Sequence, residues 1–143
     1  MQWRKSSQEV DYIFKTQDEV RMSDVAYGGH LSSQGLLNLV HNARLNFYAS
    51  IGTAELIDNE HCLVITDVLI KHRDEAFAKE VLCIEIGATD ISPCGFLLHY
   101  KFSSKENGRV IAQVTNKIVS VHPTTKKLIQ LPESIHQLKL KSL

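Results

Sequence analysis

Residues 21–44, RMSDVAYGGHLSSQGLLNLVHNAR, gather most of this chain's usable chemistry into one stretch. Asp24 and His30 are acid–base candidates by type. Gly28 and Gly29 between them permit a tight turn, and Ser32 and Ser33 follow where a helix would begin. A helix entered there leaves backbone N–H groups without intrahelical acceptors. Gly29, Leu31, Ser32 and Ser33 are therefore candidate donors that, with the positive end of the helix dipole, suit a developing negative oxygen. Two roles are open to Asp24: general base or nucleophile, and an Asx-type brace for the turn. His30 either polarises a bound carbonyl or is locked by hydrogen bonds as loop scaffold. The two serines lack a G-x-S-x-G setting and read as helix caps rather than nucleophiles.

The elements that position these residues follow from the apolar spacing. Leu36, Val40, Ala43, Phe47 and Ile51, widened by Leu37 and Leu39, predict a helix from Ser32 or Ser33 to about Ser50, stopped by Gly52. The side chains between them (Asn38, His41, Asn42, Arg44, Asn46) carry little charge, which predicts an enclosed helix. A strand-like run precedes it at 10–22, and four follow at 62–71, 80–91, 95–103 and 109–121. The short turns HRDEAFAK, SPC and KENG predict an antiparallel meander. Pro132 opens a short C-terminal helix, with residues 1–9 and 137–143 expected to be loose ends. The whole, residues 1–143, reads as one α+β domain in which a curved antiparallel sheet of about five strands wraps one long helix. One helix cannot cover such a sheet, and edge strands must be paired or blunted, so a homodimer is expected.

Composition excludes several partners. Sixteen basic and sixteen acidic residues give zero formal net charge, so no global field draws nucleic acid or an anionic membrane. No apolar run approaches membrane-spanning length, and the N-terminus lacks the apolar stretch of a signal peptide. Cys62, Cys83 and Cys94 show no CxxC or metal-ligand spacing and read as buried, reduced thiols of a cytoplasmic protein. No metal site is expected.

Several ordered motifs carry a resemblance. Asp24-Val25-Ala26-Tyr27-Gly28-Gly29-His30-Leu31, then His41-Asn42-Ala43-Arg44 with Phe47, then Val64 to Val68, Glu75-Ala76-Phe77 and Thr115 to Val119 span about residues 10–135. Together they resemble hotdog-fold acyl-CoA thioesterases related to 4-hydroxybenzoyl-CoA thioesterase. The resemblance implies a hotdog fold and a dimer, in some arrangements a tetramer. It also implies hydrolysis of acyl-CoA or acyl carrier protein thioesters, with coenzyme A as part of the substrate and no cofactor. It makes Asp24 and His30 the catalytic candidates, Asn42 and Asp67 substrate contacts, and Lys117 and Lys126, with Arg73, partners for coenzyme A phosphates. Leu36, Leu37 and Val40 would wall the acyl chain. Three positions where such relatives carry a carboxylate are Ala26, Gln34 and Asn42 here, which supports the alternative of a non-catalytic acyl-thioester-binding module. A hydratase on the same fold is disfavoured, because no H-x-x-x-x-G-x-x-x-P sequence is present.

Overall fold

Helix α1 (Ser33–Ser50) forms where the apolar spacing predicts, and both of its ends are chemically marked. The computed structural model describes residues 9–141, so the loose start expected at 1–9 lies, except for Glu9, outside the described residues. Ser32 is the N-cap, its hydroxyl oxygen accepting from the Gly35 N–H at 2.9 Å. At the other end Gly52 adopts φ 75°, the left-handed conformation that lets the chain leave the helix. The face carrying Leu36, Leu39, Val40, Ala43, Phe47 and Tyr48 is buried.

That face packs on a sheet of five antiparallel strands: β1 (Phe14–Glu19), β2 (Cys62–His72), β3 (Val81–Thr89), β4 (Gly95–Ser104) and β5 (Val110–Val121). Alternation along β4 sends Phe96, Leu98, Tyr100 and Phe102 into the core with α1. A second helix, α2 (Glu133–Lys141), adds Ile135 and Leu138 to the same core. This is the expected α+β hotdog architecture, one long helix against one antiparallel sheet.

Three expectations need correction. The meander holds only for β3, β4 and β5; the sheet order is β1-β3-β4-β5-β2, so β2 neighbours β5 rather than β3. The two longest strands match each other residue for residue from Cys62↔Val121 to His72↔Ala112, with Thr66 bulged out between Ile65 and Asp67. The chain then crosses to β3 through residues 73–80. The tail is not loose from 137, because α2 runs to Lys141 and buries Leu138. The three cysteines are free but half-buried rather than fully enclosed. Among the described residues no helix is long and apolar enough to cross a membrane.

Candidate functional site

The turn before α1 is built by two short pairings. Val25 bridges Leu31, with Ala26 N–H donating to His30 O at 2.7 Å and Ser32 N–H to Asp24 O at 3.0 Å. Gly29 N–H closes the loop onto Ala26 O at 2.9 Å. The crossing segment 73–80 then straps the turn down: Leu31 N–H donates to Ala76 O at 2.7 Å, and His30 bridges Phe77. Gly35 is pressed so closely on the Asp24 backbone that a Cβ there would collide with its carbonyl. The segment that joins β2 to β3 thus fixes the entry of α1.

A count of donors corrects the sequence reading. Gly29, Leu31 and Ser32, three of the four expected oxyanion donors, are spent on carbonyls within the chain. Gly35 N–H is spent on the Ser32 hydroxyl. Ser33 and Gln34 are the first two residues of α1, and among the described residues their N–H groups meet no acceptor. They are the donors that remain. Ser33 is also not a cap, because Ser32 fills that role. Its hydroxyl lies 3.1 Å from His72 Nε2, at the C-terminal end of β2. His72 escaped the sequence reading, which ended that strand at Lys71. The pairing spans 39 residues and becomes visible only when β2 lies at the sheet edge with its end against α1.

Of the two roles open to Asp24, its surroundings fit the brace. The residue is 2% exposed. Its Oδ2 accepts the Arg21 N–H at 3.0 Å and faces the Arg21 guanidinium at 3.8 Å, while Oδ1 takes a long bond of 3.5 Å from the Asn38 amide. His30 differs: it is half-buried, and no hydrogen bond to its ring is made among the described residues. Its Nδ1 side lies over Gly28, where even an added Cβ would stand 3.7 Å away. Gln34 reaches Asn38 at 3.4 Å, and Asn42 continues that row one turn deeper, half-buried.

The remaining expected site residues are not gathered here within one chain. Asp67 and Lys117 stand opposite each other across β2 and β5. Lys117 alternates with the buried Asn116 and Ile118, so this pair faces away from α1. Lys126 lies in the turn after β5, beside the Cys62 end of β2, which is the far end of the ladder from His72. Arg73, next to His72, sits at the near end and donates to Gln113 at 3.0 Å. Leu36 and Val40 are core residues, whereas Leu37 is half-buried. A cavity of about 210 Å³ opens on the face away from α1, lined by Tyr12, Leu69, Lys71, His99, Gln113 and Thr115 among others. It is separate from the helix entry.

Arg44, read as one of the side chains between the apolar stripe, is buried. Its guanidinium donates to Asn116 Oδ1 at 3.2 Å, Tyr100 Oη at 3.5 Å and Glu55 Oε1 at 3.3 Å, and meets His41 Nδ1 at 3.1 Å. Tyr100 in turn donates to Asn116 at 2.7 Å, and burial pushes its phenol up to about 12 although Arg44 pulls the other way. The motif around Arg44 therefore ties helix to sheet.

Comparison with known proteins supplies a context for this geometry. The sequence model of the thioesterase-like superfamily matches residues 20–138. Among solved structures, a 1,4-dihydroxy-2-naphthoyl-CoA thioesterase from Synechocystis is similar over 87% of this chain and 93% of its own, with TM-score 0.81 and 19% identity. The YbaW probable thioesterase from Escherichia coli covers 87% of this chain and 97% of its own at TM-score 0.75 and 18% identity. A hypothetical protein from Staphylococcus aureus, solved in complex with CoA, covers 95% and 87% at TM-score 0.81 and 13% identity. No curated protein matches the chain.

Proposed function

The chain belongs to the thioesterase-like superfamily, and from that membership we propose that it hydrolyses acyl-CoA or acyl carrier protein thioesters to a free acid and a thiol at the entry of α1. The observation that carries this reading is the pair of unclaimed backbone donors, Ser33 and Gln34 N–H, at the positive end of an 18-residue helix. A thioester oxygen seated there gains two hydrogen bonds as it becomes an oxyanion, a contribution of roughly 3 kcal/mol for each well-placed donor. His30, whose ring makes no hydrogen bond among the described residues, is free to polarise the same carbonyl. Arg73 is the cation best placed for a coenzyme A phosphate, while Lys117 and Lys126 serve only if a second subunit brings them to the site.

A homodimer, or a dimer of dimers, fits the surface of β2. This edge strand leaves one side without a partner strand among the described residues and exposes Ile65 and Val68. Leu45 is likewise exposed on α1. Substrate would lie between subunits, with Leu37 and the row Gln34–Asn38–Asn42 along its path.

One observation favours a second reading, a module that binds acyl thioesters without cleaving them. Ala26, Gln34 and Asn42 are not carboxylates, and the Asp24 carboxylate is turned inward. Purified protein offered short, medium and aromatic acyl-CoAs, with thiol release followed by a chromogenic disulfide, separates the two. Hydrolysis above buffer with saturation in substrate supports the enzyme. Saturable binding by calorimetry with no release supports the module.

A further inference from the structure

We infer that Ser33 and His72 are the reacting pair of this site, an inference that rests on the hydrolase reading and identifies what replaces the absent carboxylates. Their side chains meet at 3.1 Å, the reach a nucleophile and its base require, and both are open to an incoming substrate. The Ser33 hydroxyl is available because Ser32 makes the cap and hands its oxygen to Gly35 N–H. With the imidazole proton on Nδ1, Nε2 accepts from the hydroxyl. The geometry also pairs nucleophile with oxyanion donor. The N–H of Gln34, the residue after Ser33, is one of the two unclaimed donors, the relation found where a hydrolase serine opens a helix. The G-x-S-x-G pattern is incomplete around it, with Leu31 where the first glycine would stand and Gly35 at the second.

The reaction proceeds in two steps. Ser33 Oγ attacks the thioester carbonyl carbon as its proton passes to His72 Nε2, and the oxygen of the tetrahedral intermediate is held by the Ser33 and Gln34 N–H groups. The C–S bond breaks, sulfur takes the proton, and the thiol leaves with the acyl group esterified to Ser33. Water then attacks the ester carbon and gives its proton to His72. The ester C–O bond breaks, that proton returns to Ser33 Oγ, and a carboxylic acid departs. No electrons are exchanged.

Full-length Ser33→Ala and His72→Gln proteins test the pair against the wild type on the acyl-CoA that the wild type cleaves best. Each variant should lose about 10²-fold or more in kcat with KM changed less than about threefold, since the missing step is chemical. Acid-quenched wild type should carry one acyl mass on the peptide containing Ser33, and Ser33→Ala should not. Unfolding midpoints of both variants check that the fold is intact. A Ser33→Ala protein that keeps the wild-type rate overturns the pair and leaves the hydrolase reading standing. Loss confined to His72→Gln, with Ser33 unacylated, overturns the covalent route in the same way. A wild type that releases no thiol from any acyl-CoA overturns the hydrolase reading, and this inference with it.

Discussion

Helix α1 carries two polar clusters, and they are built in opposite ways. Around Arg44, which is 6% exposed, the guanidinium is met by Asn116, Tyr100, Glu55 and His41, so charge and hydrogen-bonding capacity are used up inside the chain. At the other end of the helix, Ser33 and Gln34 N–H meet no acceptor among the described residues, His30 has no ring partner there, and the Ser33–His72 contact is exposed. A buried polar group left unpaired costs stability, so the first cluster must be complete. An exposed group left unpaired is hydrated and costs little, so the second can wait for a ligand. The difference separates polar residues that hold the fold from those available for chemistry, on one helix and from one stretch of sequence.

The largest effect should come from breaking the complete cluster. Arg44→Met keeps bulk but removes every bond of the guanidinium to Asn116, Tyr100 and Glu55, leaving the buried cluster with only the Tyr100–Asn116 bond, and the stability lost in urea unfolding should be about 3 kcal/mol or more. Ser33→Ala at the open end should stay within about 0.5 kcal/mol of wild type. Equal losses from the two would break the comparison. A smaller effect is expected between the clusters, at Gly35. An Ala methyl there runs into the Asp24 carbonyl, and neither backbone can yield cheaply. Gly35→Ala should cost about 2 kcal/mol as α1 backs away from the turn. It should also cut thiol release beyond what lost stability explains, because Ser33 and its N–H donors move with the helix. Full stability and full rate in this variant would mean the turn does not position the site.

The same contrast explains what could be read from sequence. The helix and four of the strands were legible because apolar periodicity is local, and their observed ends differ from the expected ones by no more than a residue or two. The place of β2 was not. Short turns predict neighbours in chain order, but the matched lengths of β2 and β5 decide the pairing, and that match is non-local. The arrangement of polar side chains around the helix entry follows from this. The Ser33–His72 contact requires the end of β2 to lie beside α1, and the distance of Asp67, Lys117 and Lys126 from that entry within one chain follows from the register of β2 on β5. The donors expected at Gly29, Leu31 and Ser32 were misjudged for a related reason. A glycine turn exposes N–H groups only if nothing nearby claims them, and the claimants Ala76 and Asp24 became visible only in three dimensions.

The smallest expected effect sharpens the comparison at the level of single histidines. His99, 9% exposed on β4, has both ring nitrogens occupied, by Thr89 Oγ1 at 2.6 Å and Thr115 Oγ1 at 3.1 Å. Burial holds its imidazole below the ordinary range, against an opposing pull from Asp90. In the unfolded chain this residue takes up a proton at about pH 6.5, while the folded protein resists until the pH is lower. Stability is therefore full above about pH 6.5, is lost as the pH falls through that value, and stops falling below the folded value. The unfolding temperature should drop modestly between pH 7.5 and 5, and His99→Gln should flatten part of that slope without changing thiol release. His30→Ala should instead act on the rate, lowering it by about 10²-fold if the ring acts on the substrate. If His30→Ala instead changes stability and spares the rate, His30 belongs with His99 among the residues that hold the fold, and the open end of α1 is left with Ser33 and His72 alone.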